Sequence, residues 1–353
     1  MKAKIPQLDG IRGLAILVVM FHNSQKFPRL FANGWMGVDL FFVLSGFLIT
    51  GILLDTRKSP GYFKNFYARR CLRIWPLYYA LLLFMFALVP LVRPSEAHVA
   101  FQRSAPWWGY ALFLQNFLIS VPTNAAGALA VTWSLAIEEQ FYLVWALVVR
   151  FCSSALITRM AIAVICLSPV LRYYLALHHV NLYSNVFCRL DGLMAGSLLA
   201  VVVRKENFLP SKFTTAAWIS LLVTAPLAFL TRAQWLVFSF TALASASLVY
   251  VALFSAQKWL RLALTNRFIV YSGTISYGLY LLHKIPFDVM QSLHVERHPL
   301  LMVSVAIAGG YVLAILSWNL LEKPFLRLKR YFEFRPSRAV PATPLKLVAQ
   351  EQN

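Results

Sequence analysis

The chain has 353 residues, of which 59% are hydrophobic and 13% are charged. A soluble globular protein carries about a quarter charged residues, so this composition excludes an ordinary soluble domain. The mean hydropathy is +0.65, and apolar stretches of about twenty residues recur along the chain. Together these features predict an all-α membrane protein that crosses the bilayer many times.

Ten stretches have the length and apolar character of membrane-spanning helices. They are, in chain order, 8–24, 34–54, 72–92, 132–151, 157–178, 185–203, 214–230, 235–256, 268–290 and 299–321. A shorter stretch, 106–120, is expected to lie in an outer loop or to re-enter the membrane without crossing it.

The positions of the basic residues predict the orientation of these spans. With both termini in the cytoplasm, 23 lysines and arginines fall on the cytoplasmic side and 7 on the outer side. If 106–120 crossed the membrane, the basic loop 204–212 and the basic C-terminal tail would lie outside. The positive-inside rule therefore favours about ten spans with both ends cytoplasmic. The net charge of +20 is accordingly a membrane-orientation signal, and nucleic acid is not an expected partner.

One membrane domain, residues 1–325, accounts for most of the chain. Residues 326–353 are basic, and their last part, 331–353, contains three prolines and no clear hydrophobic period. We expect these residues to form a mostly disordered cytoplasmic tail. The four cysteines form no C-x-x-C pair, so the sequence indicates neither a metal site nor a redox motif.

The first predicted span contains two residues that are costly in hydrocarbon, Arg12 and His22. They are ten residues apart, which is about 15 Å of helical rise. Arg12 is therefore expected near the cytoplasmic side and His22 in the outer half of the membrane. A histidine titrates near neutrality, so His22 could take a proton from a hydroxyl. It could equally be a structural histidine that is satisfied by a neighbouring helix.

The segment "NFYARRCLRIWPLYY", residues 65–79, begins in a predicted cytoplasmic loop and continues into the third span, and it contains Arg69, Arg70 and Arg73. On a helix the three arginines would share one broad face. Such a cluster could bind phosphates through paired N–H donors. The plain alternative is a positive-inside anchor that interacts with anionic lipids.

Glu138 and Glu139 are adjacent within the apolar segment "TWSLAIEEQFYLVW". On a helix they point about 100° apart, so both can hardly face lipid. One is expected to pair with a cation. A carboxylate bonded to an imidazole would fix its tautomer and raise its basicity, whereas a structural salt bridge would involve Arg12, Arg172 or Arg189.

Other polar residues of the predicted spans are interpreted as structural. Asp39 is a buried acid among small residues that let helices approach closely. Ser45 lacks a G-x-S-x-G context and is not interpreted as a nucleophile. Arg189 and Asp191 face apart on a helix and need other partners. His283, near the outer end of its span, is expected at the interface rather than in a catalytic role.

Six segments together resemble the acyltransferase-3 family of integral membrane acyltransferases, which includes O-acetyltransferases of bacterial surface and secreted glycans. They occur in the family's order and extend from residue 8 to about residue 325. The segments are "LDGIRGLAILVVMFHN", "GVDLFFVLSGFLIT", "RRCLRIWPLYY", "TWSLAIEEQFYL", "RLDGLMAGSLLA" and "ISYGLYLLH".

The resemblance implies an O-acyltransferase in the bacterial cytoplasmic (inner) membrane. It would move an acyl group, acetyl by default, from cytoplasmic acyl-CoA to a hydroxyl of a glycan or lipid-linked sugar. Acyl-CoA is then a donor substrate, and no tightly bound cofactor is expected. Some members carry a fused extracytoplasmic hydrolase-like domain, and no such soluble domain is expected in these 353 residues.

The resemblance also implies the roles of particular residues. The family's R-x-x-R motif falls on Arg70 and Arg73, and its glutamate falls on Glu138. In the resulting mechanism His22 is the general base, and Glu138 or Glu139 orients its imidazole. The expected catalytic residues are His22, Glu138, Glu139 and Arg12, and the expected donor-binding residues are Arg69, Arg70 and Arg73.

A transporter of a polar solute or glycan precursor is the alternative function. Arginine, histidine and glutamate inside a helix bundle also suit a proton relay or a substrate path. Many transporters consist of two related halves. The sequence shows no such internal repeat, which counts against this alternative.

Overall fold

The computed structural model describes residues 5–24, 31–92, 104–118, 127–206, 208–292 and 299–334. Within these ranges the chain is helical and contains no strand, which confirms the all-α prediction. The helices are α1 (Pro6–Asn23), α2 (Met36–Thr56), α3 (Tyr62–Leu83), α4 (Trp107–Ala111), α5 (Gln115–Leu118), α6 (Trp133–Phe151), α7 (Ser154–Leu177), α8 (Val186–Val202), α9 (Pro210–Leu230), α10 (Gln234–Phe254), α11 (Lys258–Leu264), α12 (Arg267–Thr274), α13 (Ser276–Leu282), α14 (Lys284–Ser292), α15 (Pro299–Ser317) and α16 (Lys323–Arg327).

Short segments of other helical geometry extend these elements. A π-helical turn, Phe84–Leu88, continues α3 to Val92. Another π-helical turn, Trp318–Glu322, joins α15 to α16, and a 3₁₀ turn, Leu328–Phe332, follows α16. A further 3₁₀ turn, Gly127–Val131, precedes α6.

Six helices among the described residues are long and apolar enough to cross a membrane. They are Met36–Thr56, Tyr62–Val92, Ser154–Leu177, Pro210–Leu230, Gln234–Phe254 and Pro299–Phe332. They correspond to six of the ten predicted spans, so a full set of ten spans and two cytoplasmic ends stays a prediction.

The other four predicted spans form helices with features that weaken a membrane-spanning assignment. Helix α1 contains charged groups in its first half, and α6 contains two adjacent glutamates. Helix α8 has only 17 residues. The predicted single span 268–290 is wrong as one helix, because the chain breaks at Ile275 and again at His283 to give α12, α13 and α14.

Three local predictions need correction or refinement. The arginine-rich segment expected in a loop is helical, because α3 already begins at Tyr62. The described part of 106–120 forms the two short helices α4 and α5, which join through Phe113 at a positive φ of 56°. Residues 326–334, expected to be disordered, are helical in part and pack against α3, whereas residues 335–353 lie outside the described ranges.

Local sequence signals account for several helix starts. Pro6 occupies the first turn of α1, where its missing N–H costs no hydrogen bond. The side chains of Ser153, Asn185 and Asn266 accept backbone N–H bonds at the starts of α7, α8 and α12. Each cap satisfies a donor that the helix itself leaves unpaired.

Helices α2 and α8 make the most extensive helix pair, and their backbones touch at two glycines. A Cβ atom on Gly46 would lie 2.0 Å from the carbonyl oxygen of Leu193, and one on Gly196 would lie 2.0 Å from that of Val43. This agrees with the prediction that small residues let α2 approach a neighbour. Asp39 and Arg189, on these same two helices, are thereby brought together.

Two buried ion pairs lie beside this contact. Arg189 Nη2 is 2.7 Å from Asp39 Oδ1, and Arg172 Nη1 is 2.8 Å from Asp191 Oδ2. The Arg189 guanidinium is also surrounded by aromatic rings, of which Phe238 is nearest at 4.0 Å from the ring centroid. Arg189 and Asp191 therefore have separate partners, as their spacing predicts. Because an aspartate binds each of these arginines, neither is the cation that pairs with Glu138 or Glu139.

A glycine pair on α8 tests the close packing of α2 and α8. Gly196→Ala should lower the free energy of unfolding by at least about 2 kcal/mol, because its methyl group would overlap the backbone of α2. Gly192→Ala is the matched control, since its Cβ would meet Phe42 at an ordinary 3.4 Å. Thermal unfolding of the two variants in detergent measures the difference, and equal melting temperatures would contradict this packing.

Candidate active site

A cavity between α1, α2, α3, α6 and α13 brings together several predicted site residues. Its empty space is about 840 Å³, a figure that includes open solvent at its mouth. We call it the arginine cavity because three guanidinium groups line it. Its lining residues are Arg12, Val38, Phe41, Phe42, Leu44, Ser45, Leu48, Ile49, Arg70, Arg73, Ile74, Ser134, Leu135, Glu138, Tyr142, Ser276, Tyr277 and Tyr280.

Arg12 reaches the cavity from the first half of α1. Its Nη1 lies 3.6 Å from Asp9 Oδ1, one turn earlier on the same helix. The Arg12 side chain is 30% exposed, so the guanidinium is available to a molecule in the cavity. Close backbone contact fixes the position of α1, since a Cβ on Gly13 would lie 2.0 Å from the carbonyl oxygen of Ile269 on α12.

Arg70 and Arg73 reach the cavity from α3, as the predicted R-x-x-R spacing requires. Arg73 Nη1 lies 4.0 Å from Glu322 Oε2, in the π-helical turn after α15. The Arg73 guanidinium also lies 6.0 Å from the ring centroids of Tyr277 and Trp318. Two aromatic rings and one carboxylate thus hold Arg73 at the cavity wall.

Arg69 does not line the arginine cavity, unlike the other two arginines predicted with it. Its Nη1 donates to the carbonyl oxygens of Lys329 at 3.1 Å and Phe332 at 3.4 Å. The reason is helical geometry, because Arg69 and Arg70 point about 100° apart on α3. Arg70 faces the cavity, and Arg69 faces the 3₁₀ turn near the C-terminus.

Glu138 and Glu139 face different surroundings, in agreement with the predicted 100° separation. Glu138 lines the cavity, where its Oε1 accepts a hydrogen bond of 2.5 Å from Ser45 Oγ. The positive charges of Arg12 and Arg70 act on it through space. Glu139 lies outside the cavity and accepts from Trp75 Nε1 at 3.4 Å.

His22 lies near the C-terminal end of α1, away from the three arginines. Its Nδ1 is 2.8 Å from the carbonyl oxygen of Phe31. A carbonyl oxygen only accepts, so Nδ1 of the neutral ring carries the proton and Nε2 keeps its lone pair. His22 also packs on Gly34, where a Cβ atom would lie 2.6 Å from the Cβ of His22.

The predicted pairing of His22 with Glu138 or Glu139 is absent from the described structure. The Phe31 carbonyl oxygen occupies the position expected for a carboxylate. Glu138 binds Ser45, which lies nine residues along α2 from Met36, or about 14 Å of helical rise. His22 contacts Gly34, which lies just before Met36. The imidazole of His22 and the carboxylate of Glu138 therefore lie at different positions along the axis of α2.

His22 nevertheless lies close to one end of the arginine cavity. Val38 lines the cavity and is four residues from Gly34, which is about one helical turn. The structure therefore brings together Arg12, Arg70, Arg73 and Glu138, and places His22 about one turn of α2 beyond the cavity. Glu139 and Arg69 face other surroundings.

His283 is fully buried rather than interfacial, and it binds the residue that follows His22. Its Nδ1 is 2.8 Å from the carbonyl oxygen of Tyr280, and its Nε2 is 2.9 Å from Asn23 Nδ2. The backbone carbonyl accepts from Nδ1, so Nε2 accepts from the Asn23 amide. This bond ties the end of α1 to the break between α13 and α14, close to His22.

Sequence reasoning missed Asn23 and Glu322 as parts of this region. Both are polar residues at the end of a helical stretch, where solvent exposure is common. Glu322 is instead 2% exposed and faces Arg73. One signal was available for Glu322, because it is an acid directly after a long apolar span and before a basic segment.

Comparison with protein families identifies the class of protein that this fold and site define. Residues 5–319 match the family model described as an acyltransferase domain. This match covers most of the sequence, so the chain belongs to the acyltransferase-3 family of membrane proteins. The resemblance carried by the six sequence segments is thereby confirmed.

Several curated relatives are similar to the chain over 91% of its length. It is 26% identical to a Staphylococcus aureus strain COL protein provisionally named as an O-acetyltransferase, and 27% identical to the peptidoglycan O-acetyltransferase OatA of Listeria monocytogenes. It is 28% identical to YrhL of Bacillus subtilis, provisionally named as a peptidoglycan O-acetyltransferase. The matched regions cover 57%, 55% and 54% of these relatives, so the chain spans about half their length. No solved structure is significantly similar to the chain.

The bond between Asn23 and His283 can be tested with a double-mutant cycle. Asn23→Ala and His283→Ala should each lower the free energy of unfolding by about 1–3 kcal/mol, because the first leaves the buried imidazole of His283 without its donor and the second leaves the half-buried Asn23 amide unpaired. The double variant should lose less than the sum, with an interaction energy of at least about 0.5 kcal/mol. His178→Ala, at an exposed histidine, is the control, and fully additive losses would contradict the bond.

Proposed function

We propose that this protein transfers an acyl group, acetyl by default, from acyl-CoA to a hydroxyl of a glycan. The observation that carries this proposal is the convergence of Arg12, Arg70 and Arg73 on one cavity. His22, with an available Nε2, lies about one helical turn beyond that cavity. The family and the names of its curated relatives support acyl transfer rather than transport.

Arg70 and Arg73 are proposed to bind phosphate groups of the donor. A guanidinium offers a planar pair of N–H donors that matches the oxygens of a phosphate, and it stays charged at every physiological pH. The distribution of basic residues predicts that this end of α3 faces the cytoplasm, where acyl-CoA is found. The long arm of the donor would then extend along the cavity past Arg12.

His22 is proposed to act as the general base for the acceptor hydroxyl. The Phe31 carbonyl holds the proton on Nδ1, which leaves Nε2 to accept the proton of the hydroxyl. The hydroxyl oxygen attacks the thioester carbonyl carbon, a C–O bond forms and the C–S bond breaks. The proton passes from Nε2 to the departing thiolate, so the imidazole returns to its neutral form.

We propose that Glu138 positions the arginines of the cavity and does not orient the imidazole of His22. It interacts with Arg12 and Arg70 and is held by the hydroxyl of Ser45. A carboxylate at this point would offset part of the repulsion between two neighbouring guanidinium groups. Arg12 is accordingly proposed to line the path of the thioester, and Glu139 is proposed to support Arg70 from outside the cavity.

The acceptor is proposed to be a glycan or lipid-linked sugar on the outer side of a bacterial cytoplasmic membrane. The names of the Listeria and Bacillus relatives point to peptidoglycan as one such glycan. The predicted orientation puts the arginine end of the cavity inside and His22 in the outer half. Donor and acceptor would therefore approach the reaction centre from opposite faces.

Replacement of His22 tests its role as general base. His22→Gln should lower kcat for acyl transfer about 10²- to 10⁴-fold, which is the usual contribution of a general base. The dissociation constant for CoA should stay within about twofold, because no donor-binding arginine is altered. The matched control is His178→Gln, at an exposed histidine on a different part of the chain. Transfer by His22→Gln at the wild-type rate would rule out this role.

Replacement of Arg73 tests the binding of the donor. Arg73→Gln should raise the KM for acetyl-CoA about 10- to 100-fold, because one charge-assisted bond is worth about 1.5–3 kcal/mol. Arg73→Lys should give an intermediate KM, since it keeps the charge but loses the paired donors. The exposed Arg159→Gln is the control for lost surface charge. If KM is unchanged and only the amount of folded protein falls, Arg73 is a membrane anchor.

A further inference from the structure

The 3₁₀ turn Leu328–Phe332 is fixed against the arginine-bearing face of α3. Arg69 donates to two of its backbone carbonyls, at Lys329 and Phe332. One turn earlier on α3, Asn65 Nδ2 donates 3.2 Å to the carbonyl oxygen of Glu333. Two side chains of α3 thus hold the backbone at Lys329 itself and three to four residues after it, so the turn has a defined position.

This position puts Lys329 directly beside Arg69 and within electrostatic range of Arg70 and Arg73. Lys329 is partly buried, and its charge is repelled by Arg70, Arg73 and Arg69. Like charges in a partly desolvated cluster destabilise one another. A folded protein keeps such a cluster when an anion binds there, as Arg and Lys clusters do with phosphate.

The carboxylates that face the cluster do not balance its charge. Glu322 lies 4.0 Å from Arg73, and Glu139 interacts with Arg70. The side chain of Arg69 is bonded to backbone carbonyls rather than to an acid. Glu138 also interacts with Arg70 and is shared with Arg12, so four cations face three carboxylates and positive charge remains for a bound anion.

The location of Lys329 indicates which part of a donor it would meet. Arg70 and Arg73 line the arginine cavity, whereas Lys329 is not among the lining residues. A group bound by Lys329 would thus lie beside the arginines but outside the cavity. Acyl-CoA carries a diphosphate in the middle of the molecule and a phosphate monoester on the ribose, at the end remote from the thioester.

We propose that Lys329 binds the ribose 3′-phosphate of the donor, while Arg70 and Arg73 bind its diphosphate. Arg69 is then a positioning residue that holds the turn in place. This proposal rests on the proposed function, since it assigns a further residue to the same donor. A compact ammonium can bind a phosphate monoester as a point charge.

Binding measurements with two unreactive ligands test the assignment. The purified full-length protein is titrated with CoA and with 3′-dephospho-CoA, in nanodiscs with and without anionic lipid. The wild type should bind CoA roughly tenfold more tightly than 3′-dephospho-CoA. Lys329→Gln should remove most of this preference by weakening CoA alone, and Lys329→Arg should retain it.

The exposed Arg330→Gln is the matched control, because it removes a neighbouring charge that contacts only Tyr331 among the described residues. The assignment is overturned if Lys329→Gln keeps the preference or weakens both ligands equally. An effect of Lys329→Gln that disappears without anionic lipid would also overturn it and would point to a lipid headgroup. If the wild type binds neither ligand, the proposed function itself fails.

Discussion

The structure depends on how its charged side chains are paired inside a bundle of apolar helices. An ionised group at the centre of a bilayer costs about 2.5–3.5 kcal/mol on insertion scales, so each one needs a partner or a polar cavity. Asp39 and Asp191 neutralise Arg189 and Arg172, both of which are almost fully buried. The arginines of the cavity are paired less closely, since Arg12 lies 3.6 Å from Asp9 and Arg73 lies 4.0 Å from Glu322, and their charges converge on one cavity.

Close backbone contacts between helices fix the positions of these charged side chains. Gly46 and Gly196 let α2 and α8 touch, and Gly13 does the same for α1 and α12. Interfaces of this kind are typical of membrane helices. Lipid tails are as apolar as the side chains, so close van der Waals packing at small residues, rather than the hydrophobic effect, holds these helices together. The positions of Arg12 and His22 on α1 therefore depend on residues that carry no chemistry themselves.

Interrupted helices contribute to the site as much as continuous ones. The break after α13 leaves His283 at a helix end, where it binds Asn23 beside His22. The π-helical turn after α15 places Glu322 against Arg73. In both places an irregular segment presents a polar side chain to the bundle interior, which is where membrane proteins tolerate irregular backbone.

The sequence was sufficient to predict the all-helical class, the family, and the grouping of Arg70 with Arg73. Composition and helical spacing determine the class and the arginine grouping, because both depend on residues that are near one another in the chain, whereas the family was indicated by the resemblance of six segments. The partner of His22 was not predictable in the same way. A backbone carbonyl such as that of Phe31 has no signature in the side-chain sequence, and the separation of Glu138 from His22 depends on the register between helices. A donor-binding role for Lys329 was not predictable from the sequence either, because a basic residue after the last apolar span is usually a membrane anchor.

Transfer across a sealed bilayer tests whether the donor and the acceptor reach the reaction centre from opposite faces. The protein is reconstituted in vesicles with one orientation, with acetyl-CoA labelled in its acetyl group on the side of the arginines and a peptidoglycan oligosaccharide on the opposite side. The account predicts labelled acetyl ester on the oligosaccharide while CoA stays on the side where it was added. Labelling only when donor and acceptor share one compartment, or passage of intact acetyl-CoA through the bilayer, would contradict it.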